Sequence, residues 1–199
     1  MTPDDIPFII KVQPLAFPPP FPVDELWSAS ALEQLLKLFP EGQAVAELDG
    51  ERAGSSTSLL MGDDSWQLGE DWLNMVGKNF SNFDRNGNTL FGMDIAVHPD
   101  FRRHGVGAAL YRKRFELAET TGVLRYGTVC RIPDFSDWAK ENGDDVERYV
   151  SLVVHGDIVD RTLTPLLKMK LKVNRIKPNY YNDVESLGYG VELERRFRE

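Results

Sequence analysis

VHPDFRRHGVGAAL, residues 97–110, is the stretch from which the rest of the chain is read. Before it, Met93, Ile95 and Val97 alternate as apolar positions, and His98-Pro99 then breaks the run. A basic turn follows, and an apolar-periodic segment continues to about Ala118. That order reads strand, turn, helix. Gly105 and Gly107 leave the backbone bare where the helix starts, and the first N–H groups of a helix have no intrahelical partner. The helix dipole puts partial positive charge at that end, and Arg102, Arg103 and His104 add side-chain charge. Such a place suits a diphosphate. Two common phosphate loops are excluded. No G-x-x-x-x-G-K-[ST] string exists, and Leu110 stands where a dinucleotide fingerprint wants its third glycine or alanine.

The spacing that does fit is R-x-x-G-x-G, with Arg102, Gly105 and Gly107 in register. It resembles the acetyl-coenzyme A pyrophosphate loop of the GNAT family of N-acetyltransferases. Residues 43–61, QAVAELDGERAGSSTSLLM, read as two strands joined at Asp49-Gly50, a strong hairpin signal, and a hairpin precedes the cofactor strand in that family. NFDRNGNTLFGMDIAVHPDFRRHGVG, RIPDF and PNYYNDVESLGYGVELE resemble one branch, in which the module is sometimes fused to a carbon-nitrogen hydrolase. The likeness runs over roughly residues 40–197.

The resemblance implies one domain over residues 1–199, of α/β (α+β) class, with a central mixed, largely antiparallel sheet flanked by helices. It implies acetyl-coenzyme A as co-substrate and a primary amine as acceptor. By motif match, the backbone of Arg103, His104, Gly105, Val106, Gly107 and Ala108 holds the pyrophosphate, supported by the Arg102 and Arg103 side chains. The segment Ile95, Ala96, Val97 presents a backbone N–H to the acetyl carbonyl. Asp94 is the sole carboxylate of that strand and the candidate base, acting through water. Family members often protonate the leaving thiolate with a tyrosine, but LTPLLKMKLK, where it is expected, has none. Tyr180 and Tyr181 come later. Adjacent residues of a strand face opposite sides, so at most one of them serves. Final strands in this family often pair across subunits, which makes a homodimer the expected assembly. The rival reading is a non-catalytic module that senses acyl-coenzyme A or docks a partner.

Bulk properties agree with one domain. The chain has 199 residues, 42% hydrophobic and 27% charged, enough to bury a core. The net charge of −8 argues against nucleic-acid binding. No run approaches a membrane span, and the acidic, Pro-containing start lacks a basic n-region. A single cysteine, Cys130, permits no internal disulfide and favours a reducing, cytoplasmic setting. It lies in an apolar strand without a His partner, so it reads as a buried thiol rather than a nucleophile. His98, His104 and His155 show no ligand spacing, so no metal is expected.

Several further elements are expected. PLAFPPPFP, residues 14–22, reads as a stiff extended connector. DELWSASALEQLLKLFPEG reads as a helix stopped by Pro40 and Gly42. Trp66 and Trp72 either line a pocket or anchor a long loop. On the wheel of the helix after the glycines, Arg114 falls inside the apolar arc, which predicts a carboxylate or several carbonyls around it. Residues 123–133 read as a strand, and 134–160 hold a helix, with Val146, Tyr149, Val150, Val153 and Val154 at helical spacing and Gly156 just beyond; VNRIKPNYY and YGVELERRF read as closing strands, with Thr164-Pro165 opening a helix before them.

Overall fold

A computed structural model describes residues 1–198. Its centre is one six-stranded sheet. The strands are β1 (Ala44–Leu48), β2 (Glu51–Met61), β3 (Thr89–Val97), β4 (Arg125–Cys130), β5 (Lys172–Lys177) and β6 (Gly190–Arg196), in the order β1-β2-β3-β4-β6-β5. Only β3 and β4 run parallel; every other neighbouring pair is antiparallel. The α/β class with a mixed, largely antiparallel sheet is as expected.

Helices cover both faces. On one lie α1 (Ile6–Ala16), α2 (Ala29–Leu38), α3 (Asp63–Leu68) and α4 (Trp72–Val76). On the other lie α5 (Val106–Thr121), α6 (Phe135–Asn142), α7 (Val146–His155) and α8 (Leu163–Lys168). Consecutive residues of the inner strands feed opposite cores. Leu59 and Phe91 pack with Leu35, Met75 and Trp66 on the first face. Leu60 and Leu90 pack with Phe115, Tyr126 and Phe135 on the second. This is period-two patterning with both faces buried.

The sequence reading needs correction at five places. Pro14 lies inside α1, not in an extended connector; its fixed φ suits the helix, and the bond its missing N–H cannot make is lost from the last turn. Only residues 17–22 link α1 onward. α2 begins at Ala29, because Ser28 caps it by accepting the Ala31 N–H at 3.2 Å. The span 134–160 holds the helix read there, α7, ending before Gly156, and also a second one, α6, separated from it at Gly143. Thr164 is not the cap of α8, which starts at Leu163. β5 ends at Lys177, so Tyr180 and Tyr181 do not belong to a strand.

The sheet opens near its middle. β3 pairs with β4 only as far as Gly92 opposite Thr128. Its register with β2 slips at the same level: Thr57 faces Asp94 while Ser58 faces Gly92, leaving Met93 as an extra residue. Such a bulge bends its strand and leaves carbonyls without ladder partners. Arg114 of α5, 4% exposed, takes them up. Its Nη2 donates to Thr57 O at 2.7 Å and to Asp94 O, its Nε to Ser58 Oγ at 3.1 Å, and its Nη1 to the Tyr126 hydroxyl at 3.1 Å. Of the partners foreseen for this guanidinium, carbonyls hold it and no carboxylate does.

An ionic clasp fastens the segment between β5 and β6. Arg131 donates to both carboxylate oxygens of Asp183 at 2.8 Å and to Glu185 at 2.8 Å. Burial by itself would raise the Asp183 carboxyl, but its bonds to Arg131 and Ser186 win and hold it below the usual range.

Two outcomes follow for stability. Arg114→Met strands two carbonyls and should cost about 3 kcal/mol in urea unfolding, with Arg114→Lys recovering only part. The folded Asp183 carboxyl is depressed, so its contribution is complete above the ordinary value near 4 and is lost as pH falls through the folded value. Asp183→Asn should therefore lower stability at pH 7 by about 2 kcal/mol and soften the acid limb of a stability–pH curve.

Candidate active site

Beyond Gly92 the strands β3 and β4 diverge, with Thr128 Oγ1 donating to Gly92 O at 2.8 Å as the last tie between them. A cavity of about 540 Å³ occupies the opening, reaching from Tyr111 and Leu166 to Trp27, Trp72 and Tyr181. It thus communicates with both faces of the sheet. His98 N–H donates to Ala53 O of β2, and alternation turns the N–H groups of Ile95 and Val97 the other way, toward the gap. The side chains of Ile95 and Val97 pack toward Val106 and Leu110 of α5.

The basic turn lies beyond the end of β3, where the start of α5 packs on Val97. Gly105 caps α5 with φ +81°, in the left-handed region. Among the described residues, no backbone carbonyl accepts the N–H of any residue from 103 to 108. A Cβ on Gly107 would meet only Val97 Cγ2, at 3.9 Å, so the backbone there is open to close approach. A row of unpaired N–H groups at the positive end of a helix fits a diphosphate. The side chains differ from expectation in one respect. The Arg102 guanidinium reaches Leu15 O at 3.4 Å and Ala16 O at 3.3 Å, capping the end of α1. Arg103 and His104 remain exposed at the turn, and His104 Nδ1 lies 2.9 Å from Arg102 O.

Asp94 occupies the wall facing α1. Thr57 Oγ1 donates to its Oδ1, while its Oδ2 is sealed from solvent and has no partner among the described residues. Burial raises this carboxyl above its ordinary range; the Thr57 hydroxyl, the Arg114 guanidinium and the nearby Trp27 side chain oppose the rise without cancelling it. Tyr180 and Tyr181 both border the cavity, their rings T-shaped at 4.8 Å. The expectation that one must turn away fails because neither lies in a strand. Their hydroxyls do part: Tyr180 turns to Met75 Sδ at 3.1 Å inside the apolar core, whereas Tyr181 donates to Val129 O at 2.7 Å on the rim of the gap. Burial pushes both phenols well up.

Other sequence expectations divide. Trp72 lines the cavity, while Trp66 is buried against Phe91 and away from it. Cys130 is a buried thiol whose ionisation burial suppresses. His98 caps the turn by accepting the Asp100 N–H at 3.3 Å. Among the described residues no group of His, Cys, Asp and Glu is placed to hold a metal, and no helix is long and apolar enough to cross a membrane. The reading missed the N-terminal contribution: Gln13, Phe17, Phe21, Glu25 and Trp27 all line the cavity. A usable signal existed. Gln13 shares the helical face of Ile6, Ile9 and Val12, a polar side chain in an apolar stripe.

Comparison with known proteins bears on the same elements. The family model described as Acetyltransferase (GNAT) family matches residues 7–134. The chain is 34% identical over 194 residues to the uncharacterized N-acetyltransferase YkwB of Bacillus subtilis (strain 168), covering 97% of this chain and 85% of that protein. It is 32% identical over 176 residues to the probable hydrolase YhcX of the same organism, covering 87% of this chain and 34% of YhcX, so it spans about a third of that relative. In fold it is similar to the GphF GNAT-like decarboxylase in complex with isobutyryl-CoA, with a TM-score of 0.80 and 20% identity over all of this chain and 97% of that one. On this match of sequence and architecture, the chain belongs to the acetyltransferase (GNAT) family.

Proposed function

We propose that this chain transfers an acetyl group from acetyl-coenzyme A to a primary amine that enters from the α1 face. One observation carries the reading. The unpaired N–H groups of residues 103–108 lie against Val97 at the end of β3, and the unpartnered Asp94 Oδ2 borders the cavity three residues earlier on the same strand. The first set fits the diphosphate; the second fits a proton acceptor beside an arriving amine.

The roles follow from position. Residues 103–108 hold the diphosphate through main chain, with Arg103 and His104 adding charge at the turn. The Arg102 side chain supports the loop indirectly, by fixing it to α1. Ile95 and Val97 turn N–H groups into the gap, where they stabilise the oxyanion as the carbonyl becomes tetrahedral. Ala96 N–H faces β2 and takes no part. Asp94 receives the proton lost by the amine nitrogen as its C–N bond forms, directly or through one water. A raised carboxyl is a stronger base than an ordinary one. Tyr181, whose hydroxyl reaches the rim of the gap at Val129 O, gives its proton to the departing thiolate once it leaves that carbonyl. Tyr180, committed to Met75, packs behind it. A reducing, cytoplasmic setting suits the single buried thiol, and β5, an outer strand of the sheet, offers an edge through which a second copy would pair.

Gly107→Glu should raise the calorimetric Kd for acetyl-coenzyme A at least ~100-fold, about 2.7 kcal/mol, without moving the urea midpoint, since the added side chain enters open space. Asp94→Asn should leave that Kd within about twofold and cut the rate at pH 7 by about 100-fold. In the wild type the rate should fall as pH drops through the raised Asp94 value, because only the ionised carboxylate accepts a proton. The Asn variant should lack this limb, and a limb preserved in Asp94→Asn would remove Asp94 from the mechanism.

A further inference from the structure

Gln13 is 2% exposed and contributes to the cavity wall. Its Oε1 accepts the Trp27 backbone N–H at 2.6 Å, which fixes the other end of the carboxamide as the donor end. That Nε2 is sealed from solvent and has no partner among the described residues. A buried amide N–H left unpaired is costly to the fold, and such groups persist where a ligand or an ordered water completes them. Asp94 Oδ2 is its counterpart in the same cavity, an orphaned acceptor on β3, against which α1 packs. One unmet donor and one unmet acceptor therefore belong to the walls of the same cavity.

Resting on the transfer reading above, we infer that Gln13 reads an oxygen carried by the acceptor substrate beside its amine. The acceptor is then a primary amine with a neutral carbonyl or hydroxyl near it, an amino amide or amino alcohol with an apolar body.

The chemistry excludes simpler ligands. The amine can give an N–H to Asp94, but it cannot satisfy Gln13, because a bond into its lone pair would remove the nucleophile. A separate oxygen is needed. A carboxylate does not supply it. Asp24, Glu25 and Asp94 line the cavity, Arg131 is bound to Asp183 and Glu185, and Arg114 is committed to Thr57, Ser58, Tyr126 and the Asp94 carbonyl. A negative group would meet carboxylates and no free cation among these lining residues. The half-buried rings of Phe21, Trp27 and Trp72 supply the apolar wall.

The test uses four amines with one body: 2-phenylethylamine, phenylalaninol, phenylalaninamide and phenylalanine. With saturating acetyl-coenzyme A, thiol release gives kcat/KM for each; calorimetry on protein loaded with desulfo-coenzyme A gives Kd without turnover. The wild type should favour the alcohol and the amide over 2-phenylethylamine by roughly tenfold, the worth of one hydrogen bond to a buried group, and should take phenylalanine worst. In Gln13→Met that preference should collapse to within about twofold. Gln13→Glu, which keeps an acceptor for Trp27, should lose it likewise. Equal handling by the wild type overturns the inference, as does a preference for phenylalanine. A loss in Gln13→Met shared equally by 2-phenylethylamine also overturns it, by assigning the carboxamide to the acyl oxygen. Kd values ranked as expected without thiol release would sustain the inference and sink the transfer reading; thiol release at equal rates from all four would do the reverse.

Discussion

A sheet that must also admit a substrate through its middle has to break its own hydrogen bonds without losing its core. In this chain the break is held by a single guanidinium. Arg114 stands behind the slip between β2 and β3 and supplies donors to carbonyls that the ladder no longer pairs. A planar fork with five N–H groups reaches four acceptors here, one more than the three donors of a lysine ammonium could serve. Its charge has no directly bonded carboxylate, and the rings of Tyr111 and Tyr126, at 5.5 and 5.9 Å, face it instead. The opening between β3 and β4, the orientation of the Ile95 and Val97 N–H groups and the placement of Asp94 all follow from this one local arrangement.

Two kinds of chemistry meet at the opening. The α5 side is main chain: N–H groups, a bare glycine turn and a helix end. The α1 side is side chain: a carboxylate, a carboxamide, phenols and indoles. Arg102 joins them, since it leaves the basic turn to bind the last carbonyls of α1. The basic turn and the helix that bears Gln13 are thereby held to one another, although they lie far apart in sequence.

The legible part of this structure is the local part. Strand, turn and helix around Gly105 and Gly107 are written in consecutive residues, and Asp49-Gly50 marks its hairpin with two residues of positive φ. The burial of Arg114 was also readable, because helical periodicity alone places it on the apolar side. What escaped depends on contacts across distance. The prolines from Pro18 to Pro22 drew Pro14 into an extended reading, and so hid α1 and with it Gln13. Tyr180 and Tyr181 read as neighbours on a strand, but Asp183 and Arg131 hold their segment outside the sheet, a pairing separated by 52 residues. The N-terminal share of the cavity carries no motif at all; its members meet only once α1 lies on β3.

The division between main chain and side chain has an evolutionary consequence. A diphosphate held by peptide N–H groups, as proposed for residues 103–108, would tolerate drift in most side chains around it, provided Gly105 keeps its left-handed conformation and Gly107 its open face. The acceptor wall has no such insulation, because each of its polar contacts belongs to one replaceable side chain. Substitutions in the first 30 residues can therefore redirect such a protein to new amines while the donor half stays intact. Lineages built on this plan should diverge fastest in chemistry where their N-terminal helices differ, and slowest at the turn that follows β3.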